Sequence, residues 1–200
     1  MNTMAIDRLV LIGVAGGHKH AAAEILGSAG NEWQVLSVRD EVARQQGRSA
    51  ADIVVREGAA RYGELAAAVT LDAWQQMSEA CDNHSEMTTR PAVNVLVLDA
   101  DTARHPRVID ALAGRHHARR DADHRTLVVE CYAGVDTVIR RTGLGAARPL
   151  SLGPTRKMMA GMIEHYRSIF ATVRDCEIDT TAMTARDVAD TLRTMVRQPG

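Results

Sequence analysis

The chain has 200 residues, and 46% of them are hydrophobic, which is enough for one domain with a buried core. Its 24 Lys and Arg against 25 Asp and Glu leave a formal charge of -1, which argues against nucleic acid or an acidic membrane surface as a partner. Only six residues are aromatic, so stacking on single-stranded nucleic acid is also excluded. The three cysteines show no CxxC spacing, and the N-terminus shows no secretion-signal pattern, so we expect a cytoplasmic protein with reduced thiols.

Short apolar runs alternate with helical patterns in the first half of the chain. The predicted elements are a strand at Arg8–Gly13, a helix at Lys19–Leu26, a strand at Trp33–Val38, and helices at Ser49–Arg56 and Ala59–Met77. Ser49 has the residue type and the position of a helix N-cap. This part of the chain is therefore predicted to alternate between strands and helices.

The second half continues the alternation. It predicts strands at Val93–Leu98, Thr126–Cys131 and Cys176–Asp179, helices at Pro106–Leu112, Val135–Arg141, Thr155–Thr172 and Thr184–Val196, and a charged connector at Gly114–Arg125. Strands separated by helices predict a three-layer α/β/α sandwich around a parallel five-stranded sheet, formed by a single domain over residues 1–200. Ligands of such sheets bind at the carboxyl ends of the strands.

The loop after the first strand has most of a phosphate-binding pattern. Gly13–His20 reads GVAGGHKH, whereas the Walker A pattern is GxxxxGK[ST], in which backbone amides and the lysine hold phosphates and the hydroxyl binds Mg²⁺. Gly13 and Lys19 match, but His18 stands at the second glycine and His20 at the hydroxyl. A histidine is a poor ligand for Mg²⁺, so we expect little Mg²⁺ binding here. A glycine-rich turn with a solvated Lys19 is the alternative that the loop alone leaves open.

Longer stretches of the chain resemble shikimate kinase. The runs RLVLIGVAGGHKH, RDEVARQQGRSAADIVVREGAARYGELAAAV, VLVLDADTA, VVECYAGVDTVIRRTG, AARPLSLGP and VRDCEIDTTAMTARDVADTL are similar to that family in the correct order over nearly the whole chain. The resemblance implies a P-loop nucleoside-kinase-like fold, an ATP-dependent transfer of phosphate to an alcohol, and a lid at 143–155.

The resemblance also implies which substrate-side residues have changed. The family's Asp-x-Asp falls on Ser37 and Arg39, and its substrate-gripping arginine falls on Gly63. Its three consecutive glycines fall on Asp99–Asp101, where two carboxylates are expected to repel an anionic acid. A late substrate arginine falls on Tyr166.

Two neighbouring residues are candidates to take over lost substrate contacts. Asp40 and Arg167 each lie one position from a family site, so we include both, with Arg39, as candidate substrate-binding residues.

The phosphate and nucleotide side keeps more of the family's residues. The candidate nucleotide site comprises Gly13, Gly16, Gly17, His18, Lys19, His20, Arg140 and Arg141. Arg148 corresponds to the lid arginine that reaches the transferred phosphate, and Arg140 or Arg141 to the arginine beside adenine. A solvated helix end is the alternative for that arginine pair.

Two further arrangements remain open at this stage. The candidate catalytic residues are Lys19, Arg148, Asp99 and Asp101. Asp99 and Asp101 form an acid/base or metal pair on one side of a strand end, or they cap the following turn. His18 and His20 with His116, His117 or His124 are a weaker candidate for a transition-metal site, and we predict no metal centre.

The main hypothesis is a shikimate-kinase-like protein that has lost efficient shikimate phosphorylation and binds a nucleotide, a phosphate-bearing small molecule or a protein partner. The alternatives are an active small-molecule kinase with a rewritten substrate site, and a purely structural or regulatory protein.

Overall fold

A computed structural model describes residues 6–82, 92–118, 125–143 and 156–197. Five parallel strands form one sheet in the order β2-β3-β1-β4-β5. The strands are β1 (Ile6–Ile12), β2 (Trp33–Ser37), β3 (Val93–Val97), β4 (Arg125–Tyr132) and β5 (Cys176–Asp179). The predicted parallel five-stranded sheet is confirmed.

Nine helices accompany the strands in the described ranges. They are α1 (Lys19–Gly27), α2 (Val38–Gln46), α3 (Ala50–Glu57), α4 (Ala59–Asp82), α5 (Ala100–Ala103), α6 (Pro106–Ala118), α7 (Val135–Thr142), α8 (Arg156–Phe170) and α9 (Ala185–Arg197). None of the helices in these ranges is both long enough and apolar enough to cross a lipid bilayer.

Each face of the sheet packs against its own helices. Leu9 and Leu11 of β1 lie in an apolar cluster with residues of α1 and α9, whereas Val10 and Ile12 lie in a second cluster with residues of α2, α3, α4 and α6. Successive residues of a strand point to opposite faces, so a continuously apolar β1 supplies both clusters. This gives the three layers that the sequence predicts.

Helix α2 is absent from the sequence-based prediction, which continued the second strand to Val38. The strand instead ends at Ser37, whose side chain accepts a hydrogen bond from the Asp40 backbone N–H at 3.5 Å and caps the helix. Asp40 and Glu41 in the first turn favour this helix end electrostatically. The polar helix buries only Val38 and Val42, so its apolar periodicity was too weak to predict it.

The charged connector is shorter than predicted. The expected connector at Gly114–Arg125 begins inside α6, which runs to Ala118, and β4 already begins at Arg125. The expected lid at 143–155 lies outside the described residues from position 144 onward.

The sheet order decides which loops meet. Strand β1 lies between β3 and β4, so the loop after β1 is flanked by the carboxyl ends of both neighbours. Asp99 follows β3, and Cys131 lies near the end of β4. These residues therefore approach Gly13–His20 although they are far away in the sequence.

Candidate functional site

The loop between β1 and α1 turns with three left-handed residues. Gly13 and Gly16 have φ of 134° and 89°, and His18 has φ 59° and ψ 4°. His18 is the one non-glycine residue with positive φ among the described residues. Histidine tolerates this region better than most residues, but the conformation still costs about 1 kcal/mol or more. The backbone at position 18 thus has the conformation that a glycine would adopt easily.

The loop also packs directly on the end of β4. A Cβ atom at Gly13 would lie 2.2 Å from the carbonyl oxygen of Cys131, and one at Gly17 would lie 2.3 Å from the same atom. Both contacts are too short for any side chain, so glycine is required at these positions. Burial raises the pKa of the Cys131 thiol to about 12, so Cys131 supports the loop as a neutral group. Nothing in the sequence marked Cys131 as part of this site.

Lys19 begins α1 and is almost completely buried. Lys19 is only 3% exposed, and its Nζ donates a hydrogen bond to the carbonyl oxygen of Gly13 at 2.8 Å. Burial lowers the pKa of Lys19, and the nearby charge of Asp99 opposes that shift. An ammonium group is expensive to bury without a charged partner. Lys19 is therefore directed into the loop, and the alternative of a solvated lysine is wrong.

Arg141 connects the loop to the segment between β5 and α9. Its guanidinium donates to the Gly16 carbonyl at 2.9 Å and, on the other side, to the carbonyls of Thr180 and Met183, each at 2.9 Å. Arg140 instead donates to the Thr137 hydroxyl at 3.3 Å. Because the Arg141 guanidinium donates to backbone carbonyls on both sides, it holds the loop in place. The alternative of a solvated helix end is therefore wrong for Arg141.

A cavity of about 1150 Å³ opens between the loop and the helices after β2 and β3. One side, the loop wall, consists of residues 14–21 with Arg141. The opposite side, the helix wall, consists of Arg39, Val54, Ala59, Ala60, Tyr62, Gly63, Glu64, Asp99, Ala100, Asp101, Arg104, His105 and Pro106. The cavity is large enough for a small molecule beside a phosphate group.

Asp99 joins the two walls. Its Oδ1 lies 3.0 Å from Nε2 of His20, and its Oδ2 accepts a hydrogen bond from the Tyr62 hydroxyl at 3.3 Å. Burial would raise the pKa of Asp99, but the hydrogen bond with His20 and the charge of Lys19 outweigh it and lower the pKa. Burial and the charge of Asp99 raise the pKa of Tyr62. Asp99 is thus an ionised carboxylate held by a protein donor at each oxygen.

Asp101 and Asp99 have different hydrogen-bond partners. Strand β3 ends at Val97, so the two aspartates do not share a strand face, and the prediction that alternation along a strand would pair them is wrong. Asp101 lies in α5, where Oδ1 accepts hydrogen bonds from the Tyr166 hydroxyl at 2.6 Å and from Nε of Arg104 at 2.9 Å. Each carboxylate has a donor partner, so the wall is less repulsive to an anion than the sequence predicts.

Most of the other charged groups in the helix wall also have partners. His105 Nε2 lies 3.2 Å from Glu64 Oε1, a contact that the sequence did not predict. Arg39 lies in α2 and pairs only with the adjacent Asp40 at 3.4 Å among the ion pairs of the described residues. Asp40 has a 67% exposed side chain and does not line the cavity. Of the two, only Arg39 is placed to contact a ligand there.

Arg167 lies away from the cavity. Its guanidinium is 3.9 Å from the centre of the Tyr132 ring and pairs with Glu177 at 2.8 Å and with the buried Glu130 at 3.4 Å. Arg174 pairs with Glu130 as well. Arg167 therefore takes part in an ion network beside β4 and β5, and the geometry does not support it as a substrate ligand.

Some candidate residues fall outside what the structure describes. Arg148 and His124 are outside the described residues, as are the side chains of His116 and His117. Within the described part of the chain, no group of three or more His, Cys, Asp or Glu side chains is arranged to hold a metal ion.

Comparisons with known proteins agree with this geometry. No family model matches the chain. The chain is 28% identical over 194 residues to a shikimate kinase of Streptomyces avermitilis, covering 93% of both chains. Its fold matches a shikimate kinase from Acinetobacter baumannii in complex with shikimate (TM-score 0.68, 17% identity, 97% of this chain and 94% of that one). It also matches a shikimate kinase from Bacteroides thetaiotaomicron (TM-score 0.62, 13% identity, 96% and 98%). The chain is shikimate-kinase-like in sequence, and its fold is that of these solved shikimate kinases.

Proposed function

We propose that this shikimate-kinase-like protein binds a nucleotide or another phosphate-bearing small molecule at the loop wall, with ATP or ADP as ligand, and is impaired as a shikimate kinase. The single observation that supports ligand binding is the burial of Lys19. Its ammonium group faces the loop, and among the described residues it has one hydrogen-bond acceptor, a backbone carbonyl. A phosphate at the uncapped amino end of α1 supplies Lys19 with a negative charge in addition to that of Asp99.

The helix wall supports the second part of the proposal. Gly63 offers no side chain to grip a carboxylate, and the hydroxyl of the neighbouring Tyr62 donates a hydrogen bond to Asp99. Ser37 spends its hydroxyl as the cap of α2. Phosphoryl transfer depends on positioning and on charge stabilisation, so losing several such groups together slows it by orders of magnitude.

Binding is tested by calorimetric titration of ADP and ATP into the wild-type protein and two lysine variants. Lys19→Ala is expected to weaken binding at least about tenfold, since a charge-assisted contact is removed. Lys157→Ala is the matched control, because Lys157 is the other lysine of the chain and is exposed at the start of α8. Equal weakening by both variants, or no binding to the wild-type protein, contradicts the proposal.

Impairment is tested by ATP-dependent turnover of shikimate, followed as ADP release. We expect a rate at background. Turnover at an ordinary kinase rate of about 1 s⁻¹ or faster contradicts this part of the proposal and leaves the binding proposal intact.

One observation favours a second candidate function, an ATP-dependent kinase for a different alcohol. Asp99 is an ionised carboxylate in the same cavity as Lys19, where a base for an incoming hydroxyl would have to lie. Labelled phosphate transfer from ATP to a metabolite extract that is abolished by Lys19→Ala supports this function. The lack of any labelled product rules against it.

A further inference from the structure

The loop wall raises the question of which cation accompanies a bound phosphate. In P-loop nucleotide-binding proteins Mg²⁺ is held by the hydroxyl that follows the lysine and by an aspartate at the end of a neighbouring strand. Here His20 follows Lys19, and Asp99 follows β3, the strand beside β1. In that general pattern the two positions that hold Mg²⁺ are occupied here by these two side chains, whereas the resemblance to shikimate kinase places a glycine at Asp99.

The two side chains bind each other. Nε2 of His20 lies 3.0 Å from Oδ1 of Asp99, and the side chains are 22% and 28% exposed, so the contact is largely shielded from solvent. Tyr62 donates to the other carboxylate oxygen at 3.3 Å. A metal ion that approached Asp99 from the loop would have to displace the imidazole, and the imidazole nitrogen is itself a poor replacement for a hard oxygen ligand.

Three further oxygen groups near the cavity are also engaged, and one of them, Glu64 Oε1, lies 3.2 Å from His105 Nε2. The Ser37 hydroxyl caps α2, and Asp101 Oδ1 accepts hydrogen bonds from Tyr166 and Arg104. Mg²⁺ demands near-octahedral coordination by oxygen atoms at about 2.1 Å. The residues present therefore do not fit Mg²⁺.

We propose that His20 excludes Mg²⁺ by occupying Asp99, and that the loop binds nucleotide phosphates in their metal-free form. This inference rests on the proposed phosphate binding at the loop wall. The negative charge of the ligand is met by Lys19 and by the free backbone N–H groups at the amino end of α1, which His18 leaves uncapped. The specificity of the site for metal-free ligands then resides in one side chain, that of His20.

The experiment restores a hydroxyl at this position. ADP is titrated into wild-type protein and into His20→Ser, each in excess Mg²⁺ and in EDTA. The wild-type protein is expected to bind ADP several-fold more weakly in excess Mg²⁺ than in EDTA, because Mg²⁺ complexes part of the ADP, whereas Mg²⁺ is expected to tighten binding to His20→Ser by about tenfold. His165→Ser is the matched control, because His165 is exposed on α8 and does not line the cavity. It should behave as the wild-type protein does.

A second variant keeps the inference testable if His20→Ser does not fold. Asp99→Asn removes a negative charge beside Lys19, so it is expected to tighten metal-free ADP binding by several-fold, and its binding should weaken in excess Mg²⁺ to the same extent as that of the wild-type protein. If Asp99→Asn binds ADP in excess Mg²⁺ more weakly than the wild-type protein does, Asp99 is a metal ligand and the inference is overturned.

The remaining outcomes separate the inference from its premise. Binding of ADP to the wild-type protein that is tenfold tighter in Mg²⁺ than in EDTA overturns the exclusion of Mg²⁺ but supports phosphate binding. A His20→Ser variant that folds and gains no affinity for ADP from Mg²⁺ overturns the role of His20. No binding of ADP in either buffer overturns the phosphate binding itself, and the inference with it.

Discussion

The two walls of the cavity are built in different ways. The loop wall is held by backbone atoms: glycines packed on the Cys131 carbonyl, and the Gly16 carbonyl held by Arg141. The helix wall is held by side chains that bond to one another, such as Tyr62 to Asp99 and Tyr166 to Asp101. A wall built from backbone contacts tolerates few substitutions. In a wall built from side-chain contacts, each pair of interacting residues can be replaced by another pair. Under the proposed function, this difference accounts for a phosphate-binding loop that is retained opposite a changed substrate side.

The largest expected effect comes from filling the contact between the loop and β4. Gly17→Ala places a Cβ 2.3 Å from the Cys131 carbonyl oxygen, and we expect the free energy of unfolding to fall by about 3 kcal/mol. Gly63→Ala is the matched control in the helix wall, because nothing lies within 4 Å of its Cβ. Chemical denaturation of both variants measures the difference. Equal stabilities would show that the loop wall is no more constrained than the helix wall.

The next effect comes from removing the arginine that holds the loop. Arg141→Lys loses the forked hydrogen bonds to Gly16, Thr180 and Met183, so unfolding should become easier by about 2 kcal/mol. Arg140→Lys, with one bond to Thr137, should change stability by less than about 0.5 kcal/mol. Thermal unfolding followed by circular dichroism distinguishes them. Similar losses in both variants would mean that the guanidinium bonds of Arg141 do not hold the loop.

A smaller effect, which depends on pH, is expected where the walls meet. The pKa of Asp99 is lowered in the folded protein by His20 and Lys19 against the effect of burial, while Arg39 also lowers it and Tyr62 donates to it. The ionised carboxylate therefore stabilises the fold above its unfolded pKa, and this contribution disappears as pH falls through the folded pKa.

The wild-type protein should be more stable than Asp99→Asn by about 1 kcal/mol at about pH 5, and the gap should close toward about pH 2. Urea denaturation of both proteins over this pH range measures the gap. A gap that stays constant with pH would show that the charge of Asp99 does not stabilise the junction of the two walls.

The smallest effect concerns the backbone of the loop itself. His18→Gly relieves the left-handed conformation at φ 59°, and the His18 side chain makes no capping hydrogen bond that would be lost. We expect a gain in stability of about 0.5 kcal/mol and little change in ADP affinity. His18→Ala should instead lose stability. If His18→Gly is less stable than the wild-type protein, the side chain contributes contacts that outweigh the strain.

The sequence by itself determined the order of the strands and of most helices along the chain, the parallel sheet and the position of the glycine-rich loop between β1 and α1. These follow from local patterns: the apolar run of β1, the helical period after Lys19 and the glycines between them. The polar helix α2 escaped prediction because it buries only two side chains and its start depends on the cap at Ser37.

Only the tertiary structure decided what the site residues do. His20 and Asp99 are 79 positions apart, and Arg141 and Gly16 are 125 apart, yet they bond to each other because β1 lies between β3 and β4. Local periodicity carries no information about the order of strands in a sheet, so neither the carboxylate taken by His20 nor the carbonyl under Gly17 was visible in the sequence. The local sequence placed each site residue in its loop or helix. The packing of strands that are distant in the sequence decided its hydrogen-bond partner.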